Sequence, residues 1–390
     1  MVDFKKIINV IIKNKFYLFS ALFFTTLLIL RFANNYDSSF LQYNDILSTI
    51  DKFQFTPLLS LWLYSLTTSF IGMETMLILG NVIMPTLCFF MLCKLFDKYI
   101  SPLWSISLSS LALASYGPAF PFREFLLLLF SGTGWREINT DVNLQIIGFP
   151  IPSLSLFLFL LLLFVTLNFF NIKNLKQGFL FTSLWTLFFQ VHPVDALFGI
   201  IFWFSFLGIR LFRLNSTATF FKIFSGHLIL SSFLFIPVLL DIEFHSLKLE
   251  IPSSEGIPLY TLVSYFVIPI VLIFTNYLAH RIDPYEILIK FWHVYLLMIT
   301  EFILLFCSIN LGWGIQADIL ENRIPLFFLH FYYYVPFLYY TLRPYREFEI
   351  GSESGYLSQA FRKAGYLIFS TYKTTYLPIF LFLLGLFLLV

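Results

Sequence analysis

Apolar runs of bilayer-spanning length recur from one end of this chain to the other, separated by short polar segments. About twenty apolar residues in a helix cross the hydrocarbon core of a bilayer. The composition agrees, because 59% of the residues are hydrophobic and only 12% are charged. A water-facing surface for 390 residues needs far more charge. The sequence therefore predicts an all-α polytopic membrane protein.

Eleven of these runs are predicted to cross the membrane. They are residues 16–32, 73–93, 102–116, 151–170, 179–191, 197–209, 220–240, 259–277, 287–308, 325–340 and 376–390. Two further apolar stretches, 55–71 and 120–130, are shorter or flanked by polar turns, and we expect them to lie on or dip into the membrane face. Residues 1–390 are therefore predicted to form a single transmembrane domain without a separate soluble domain.

The distribution of Lys and Arg predicts the orientation. If the N-terminus is cytoplasmic, eighteen of the 24 basic residues fall in cytoplasmic segments, as the positive-inside rule requires. Residues 32–72 then form a long first outer loop, and residues 343–373 form a basic cytoplasmic connector. The same count keeps 55–71 out of the set of spans, since a span there would move Lys94 and Lys98 outside. We expect a multi-pass protein of the bacterial inner membrane.

The sequence lacks the motifs that mark several kinds of binding site. The three cysteines lie in predicted spans at a spacing unlike a metal site, and the six histidines form no His-Glu-x-x-His motif. No Gly-rich phosphate loop follows a strand, which excludes a self-contained ATP-driven pump. The basic residues follow the topology, so the net charge of +2 does not predict nucleic-acid binding. Fourteen of the 22 acids fall on the predicted outer face, where they either handle a polar substrate or only solvate loops.

Glu301 stands apart from the other acids because it lies inside the apolar run 287–308. An ionisable group inside a membrane is costly and must face a cavity or a partner. In an enzyme this carboxyl would bond Tyr or His groups lining a substrate groove. In a transporter it would carry a proton.

The order of features along the chain resembles the GT-C superfamily of integral-membrane glycosyltransferases. The matching layout is one span after a cytoplasmic N-terminus, then a long outer loop that contains YDSSFLQYND at 36–45 and an amphipathic stretch beginning FTPLL at 55–59. GFPIPS at 148–153, VHP at 191–193 and RIP at 323–325 are similar to segments of bacterial members. Asp37 departs from the pattern, because many members carry an Asp-Glu pair there and this chain has Ser38.

The resemblance implies the chemistry and the residues. A GT-C enzyme moves a sugar from a polyprenyl-phosphate donor to a glycan, lipid or protein acceptor on the outer face, and its general base is a carboxylate near the donor phosphate. That role falls to Asp37, with Asp45 as the second candidate, and a divalent cation is the only cofactor left open. Three arginines are candidates for the donor phosphate, and four further residues are candidates for substrate binding. The phosphate group is Arg323, Arg136 and Arg123, and the substrate group is His192, Asp141, Glu137 and Glu301.

Alternatives stay open at this stage. Asp37 and Asp45 also suit helix capping, and Arg323 also suits pairing with Glu321 or reaching the headgroups. A polymerase of lipid-linked repeat units has similar spans and outer arginines. A transporter or flippase of a polar or lipid-linked substrate is the second alternative, although the chain shows no internal repeat of the kind that many transporters carry.

Overall fold

The computed structural model describes residues 15–34, 70, 72, 75, 78–114, 153–191, 193–214, 217–244, 271, 284–311, 331–342 and 371–389. Every regular element among these residues is helical, which confirms the all-α class for the described part of the chain. The helices are α1 (Lys15–Asn34), α2 (Met84–Asp97), α3 (Pro102–Ala114), α4 (Ser153–Phe169), α5 (Leu175–Leu187), α6 (Pro193–Leu214), α7 (Thr217–Phe244), α8 (Pro284–Lys290), α9 (Trp292–Leu311), α10 (Val335–Thr341) and α11 (Leu377–Leu389).

Three of the described helices are long and apolar enough to cross a bilayer. They cover Leu79–Asp97, Asp195–Leu214 and Thr217–Ile236, and shorter apolar helices accompany them. Their outward surface is apolar as well, since the rings of Phe19 and Phe233 are 71% and 69% exposed. Such a surface suits lipid and not water. The predicted total of eleven spans stays a prediction, and the predicted span 259–277 lies almost wholly outside the described residues.

Two helices open with a π-helical turn that has a local cause. Leu79–Ile83 precedes α2, and Tyr372–Tyr376 precedes α11. A proline follows each of them, Pro85 in α2 and Pro378 in α11. Proline has no backbone N–H to give to the carbonyl four residues earlier, so the preceding turn widens instead of closing normally.

Small residues let α3 and α11 approach closely. The Ser107 hydroxyl donates to the Pro378 carbonyl. A Cβ atom placed on Gly385 would lie 2.6 Å from Ser110 Oγ and 3.0 Å from the Leu111 backbone nitrogen. In lipid, helices associate through such close backbone packing because no water is released between them. Helices α1 and α2 pack against this pair, and α4 packs against α2.

A second group, formed by α5, α6 and α7, is held by large rings. The rings of Trp185 and Trp203 are fully buried. Each indole donates a hydrogen bond, Trp185 Nε1 to Thr166 Oγ1 at 3.2 Å and Trp203 Nε1 to Thr182 Oγ1 at 2.9 Å. Helix α6 links this group to the rest, because it contacts both α4 and α9.

The helix ends that carry basic residues gather at one end of the bundle. Lys94 Nζ lies 4.5 Å from the ring centre of Tyr17, which joins the end of α2 to the start of α1. Trp104 Nε1 donates to the Lys373 carbonyl at 3.1 Å, which joins the start of α3 to the turn before α11.

The same end receives α6, α9 and α10. Arg210 and Arg213, near the end of α6, both lie over the ring of Trp292 at the start of α9. Lys290, which ends α8, donates to the Tyr339 hydroxyl near the end of α10. We call this region, with Lys94, Lys98, Arg210, Arg213 and Lys290, the basic end. These are residues that the sequence assigned to cytoplasmic segments; which side of a membrane this end faces stays a prediction.

Candidate functional site

Eight of the nine candidate site residues lie outside the described residues. They are Asp37, Asp45, Arg123, Arg136, Glu137, Asp141, His192 and Arg323. Their assigned roles stay predictions. Glu301 is described, and it leads to the polar groups buried in the bundle.

Glu301 is fully buried in α9. It lies in the third turn of the helix, so it is roughly 13 Å from the start of α9 at about 1.5 Å per residue. The Tyr333 hydroxyl donates a hydrogen bond to Glu301 Oε2. This tyrosine is 2% exposed and precedes α10 by two residues. The expectation that the carboxyl faces a hydrogen-bonding group is met, whereas its part in substrate binding stays a prediction.

A second buried polar group lies closer to the basic end. His293, on the first turn of α9, receives its contacts through Nε2. Tyr99 Oη is 2.9 Å from this nitrogen and Tyr332 Oη is 3.3 Å from it. Tyr99 belongs to the turn between α2 and α3, so the imidazole ties three separated segments together. Tyr332 and Tyr333 are adjacent in sequence, so one segment serves both His293 and Glu301.

Positive charge surrounds the imidazole. Both Lys98 and Arg210 lie within electrostatic range of His293. Arg210 also stacks on aromatic rings, with its guanidinium carbon 5.3 Å from the centre of Phe206 and 5.6 Å from that of Trp292. Cations over aromatic faces are stabilised by the ring quadrupole. Two cations thus lie near His293 at the basic end, and the carboxyl of Glu301 lies roughly two helical turns deeper in the bundle.

Burial shifts the pKa of two side chains, Lys98 and Tyr99, in the turn between α2 and α3. Burial, followed by repulsion from Arg210, lowers the pKa of the Lys98 ammonium. Burial also raises the pKa of Tyr99 to about 12, against the opposing effect of its hydrogen bond with Tyr332. At neutral pH the Tyr99 hydroxyl therefore stays protonated and available as a donor.

The directions of the described helices show which helix termini lie opposite the basic end. Because α1, α3, α5 and α9 begin at the basic end, they finish at the opposite end, and α4 and α6 begin there. The candidates adjoin these termini in sequence: Asp37 and Asp45 follow α1; Arg123, Arg136, Glu137 and Asp141 fall between α3 and α4; His192 directly precedes α6; and Arg323 follows α9. The described ends of α1, α3 and α9 and the described starts of α4 and α6 thus lie away from the basic end, and the positions of the eight candidates themselves stay a prediction.

A metal centre does not appear in the described part of the chain. No three His, Cys, Asp or Glu side chains converge there in a way that would hold an ion. Cys88 and Cys93 are fully buried in α2 and form no disulfide. They behave as small core residues, as the sequence indicated.

Sequence reasoning found Glu301 but not its surroundings. A charge inside an apolar run is visible in the sequence, whereas Tyr333 lies 32 residues further on. In the structure Tyr332 and Tyr333 each form a hydrogen bond with a side chain of α9. His293 carried one available signal, because it precedes Glu301 by eight residues in the same helix, roughly two turns.

Comparison of the chain with protein-family models, with curated proteins and with solved structures finds no match in any of the three.

Proposed function

We propose that this chain is a membrane glycosyltransferase of the GT-C type, which moves a sugar from a polyprenyl-phosphate donor to a glycan, lipid or protein acceptor. In this proposal the basic end faces the cytoplasm, and the reaction takes place at the outer face of a bacterial inner membrane. The observation that supports it most is that the described helix termini next to the predicted outer segments, the ends of α1, α3 and α9 and the starts of α4 and α6, lie at one end of the bundle. A single outer site requires such an arrangement, because donor phosphate, base and acceptor must meet at one interface.

The residue roles follow the chemistry of the transfer. The acceptor hydroxyl attacks the anomeric carbon as Asp37 takes its proton, and the polyprenyl phosphate leaves with the electrons of the broken C–O bond. A guanidinium at Arg323 would hold this phosphate through two parallel N–H contacts, which a lysine ammonium cannot reproduce. Arg136 and Arg123 are the other candidates for this contact.

Donor binding provides the first test, because it needs no knowledge of the acceptor. The purified protein in nanodiscs is titrated with a short-chain polyprenyl-phosphate hexose, with and without Mg²⁺. We expect Arg323→Lys to bind the donor more weakly than the native chain and Arg323→Ala to bind it more weakly still. If Arg323→Ala binds normally while Arg136→Ala or Arg123→Ala does not, the phosphate contact belongs to the segment between α3 and α4.

Transfer provides the second test. Membranes containing the chain are supplied with radiolabelled donor, and label in glycan, lipid and protein fractions is counted. Asp37→Asn keeps the size of the side chain and removes its charge, so transfer should fall by ~10²–10⁴-fold, the usual contribution of a positioned base. Normal transfer by a normally folded Asp37→Asn protein would reject this role, and the same substitution at Asp45 would then be measured.

One observation favours a second function, a proton-coupled transporter. Glu301 is fully buried within an apolar helix and receives a hydrogen bond from Tyr333. A buried acid of this kind is a usual proton carrier in transporters. Glu301→Gln would then abolish uptake driven by a pH gradient in proteoliposomes, whereas Glu286→Gln, at an exposed position on α8, would not. Donor-dependent transfer by the Glu301→Gln protein would favour the glycosyltransferase.

A further inference from the structure

Three cations at the basic end converge in a way that their neighbours do not. Lys98 lies in the turn after α2, and Arg210 and Arg213 lie on the last turns of α6. Lys98 and Arg210 are close enough for their charges to repel. The two arginines share one aromatic face, because their guanidinium carbons lie 5.6 and 5.7 Å from the ring centre of Trp292.

No carboxylate balances these charges in the described part of the chain. Lys98, Arg210 and Arg213 have no salt bridge to a described acid. The neighbouring Asp97 interacts with Tyr17 of α1. Asp195 lies in the first turn of α6, fifteen positions before Arg210 and so roughly 22 Å away along the helix. Like charges held together without a counter-charge raise the free energy of the fold, and an anion would relieve that cost.

The arginines also keep their donors available. The contact of both guanidinium groups with the ring of Trp292 uses none of their N–H groups. Arg210 Nε is buried and has no hydrogen-bond partner among the described residues. A buried N–H without a partner is costly, and an oxygen atom of a ligand would satisfy it. The planar fork of arginine suits tetrahedral oxyanions, which it contacts through two N–H groups at once.

Other basic residues of the same end are arranged differently. Lys94 lies over the rings of Tyr17 and Phe90, and Lys290 donates to the hydroxyl of Tyr339. Lys173 and Lys176, in and after the turn between α4 and α5, are exposed. Lys98 and Arg213 are exposed as well, so what distinguishes the cluster is the shared ring of Trp292 and the buried Nε of Arg210. The convergence of Lys98, Arg210 and Arg213 is therefore more than the excess of positive charge expected at a cytoplasmic face.

We propose that Lys98, Arg210 and Arg213 form a binding site for a phosphate-bearing anion at the basic end, away from the proposed transfer site. Basic pockets between membrane helices commonly hold the phosphate of an anionic lipid, and the same donors would accept free phosphate. The site is independent of the glycosyltransferase proposal, because it uses none of the residues assigned to transfer.

The test measures thermal stability of the full chain in neutral detergent while one anion is added. One series adds phosphatidylglycerol, a second adds phosphatidylcholine, and a third adds inorganic phosphate. Phosphatidylglycerol should raise the melting temperature at far lower concentration than phosphatidylcholine does. Stabilisation by inorganic phosphate at similar concentration would identify free phosphate as the ligand, whereas its absence would identify the lipid headgroup.

Paired variants locate the site. Lys98→Gln with Arg210→Gln removes two charges from the cluster, and Lys173→Gln with Lys176→Gln removes two from the exposed surface of the same end. The first pair should weaken the response to the anion about tenfold or more, and the second should change it little. Equal responses from both pairs would overturn the proposal, since general surface charge would then explain the binding.

A readout on the native chain keeps the proposal testable if the first pair does not fold. Native mass spectrometry after mixing equal amounts of the two lipids should show phosphatidylglycerol retained over phosphatidylcholine. No preference between the two lipids, together with no stabilisation by inorganic phosphate, would contradict the site.

Discussion

Two buried histidines show how differently this bundle uses polar groups. His227 lies among α5, α6 and α7, with Nδ1 2.8 Å from Thr182 Oγ1 and its ring stacked on Phe179 at 4.3 Å. Gly178 leaves room for it, because a Cβ there would lie 3.1 Å from His227 Cε1. These three neighbours of His227, Thr182, Phe179 and Gly178, are all neutral.

His293 has hydroxyl partners as well, but two cations face it. Tyr99 and Tyr332 contact its Nε2, while Lys98 and Arg210 lie within electrostatic range. Neutral polar groups that satisfy one another rigidify a core. Charges that face one another without a counter-charge cost stability and indicate a ligand or a reaction. From this difference we predict that the His227 region serves packing and that changes in the region of His293 and Glu301 affect function.

The largest expected effect comes from a substitution that disrupts the helix packing in the His227 region. A Cβ atom on Gly199 of α6 would lie 2.5 Å from Trp185 Cε3, and this indole is fully buried in α5. Gly199→Ala should lower the free energy of unfolding by about 3 kcal/mol, because neither helix can yield without moving the indole. Thermal denaturation in detergent measures this loss.

Gly208→Ala is the matched control in the same helix. Its Cβ would meet only Phe224 Cε2, at an ordinary 3.6 Å. This variant should be as stable as the native chain or slightly more stable, since alanine favours a helix over glycine. Equal losses from Gly199→Ala and Gly208→Ala would show that the α5–α6 contact is not tight.

Removal of one hydroxyl from each region gives an intermediate effect. Thr182 Oγ1 contacts both His227 Nδ1 and Trp203 Nε1, so Thr182→Val should cost about 2 kcal/mol of stability. Tyr333→Phe removes one hydrogen bond to Glu301 and should cost about 1 kcal/mol. Transfer or uptake per folded molecule should fall for Tyr333→Phe alone. A functional loss for Thr182→Val alone would reverse the assignment of the two regions.

The ends of the helices show what the sequence could and could not predict. The predicted span 102–116 corresponds to α3, and 151–170 to α4, because apolar length decides both. The span 73–93 was predicted to stop before Lys94, yet α2 continues to Asp97. Lys94 lies over the rings of Tyr17 and Phe90, so its charge does not end the helix.

Long-range contacts explain the part of the site that the sequence did not reveal. Glu301 was found because a carboxyl in an apolar run is expensive wherever it lies. Tyr333, the partner of Glu301, and Tyr99 and Tyr332, the hydrogen-bond partners of His293, come from segments far apart in the chain. No local sequence pattern marks them. Lys98 and Arg210 were predicted to lie in cytoplasmic segments, and the structure places both at one end of the bundle, but the positive-inside rule does not predict that their side chains meet.

The smallest expected effect is the change in melting temperature caused by Lys98→Gln, and its sign depends on whether an anionic lipid is present. Burial and Arg210 lower the pKa of this ammonium below the usual 10.5. A cation with a lowered folded pKa destabilises the fold at pH values below that pKa, and the cost fades as the pH rises towards 10.5. In neutral detergent at pH 7, Lys98→Gln should therefore melt slightly higher than the native chain.

Phosphatidylglycerol should reverse this order, because the native chain gains a counter-charge at Lys98 that the glutamine variant lacks. The groups facing Lys98 are Arg210, His293 and Tyr99, and none of them supplies a negative charge at neutral pH. A lower melting temperature for Lys98→Gln in both conditions would mean that its charge is already balanced within the protein.

The sidedness of the bundle is the central claim, and cysteine labelling tests it most directly. Ser38→Cys lies next to Asp37, four residues beyond the end of α1, and Lys176→Cys is exposed in the first turn of α5 at the basic end. The native Cys88 and Cys93 are fully buried and should give little background. In intact cells, a membrane-impermeant maleimide should label Ser38→Cys, and it should label Lys176→Cys only after permeabilisation. Labelling of both positions from the same side would contradict the topology, and with it the single outer site on which the proposed transfer reaction depends.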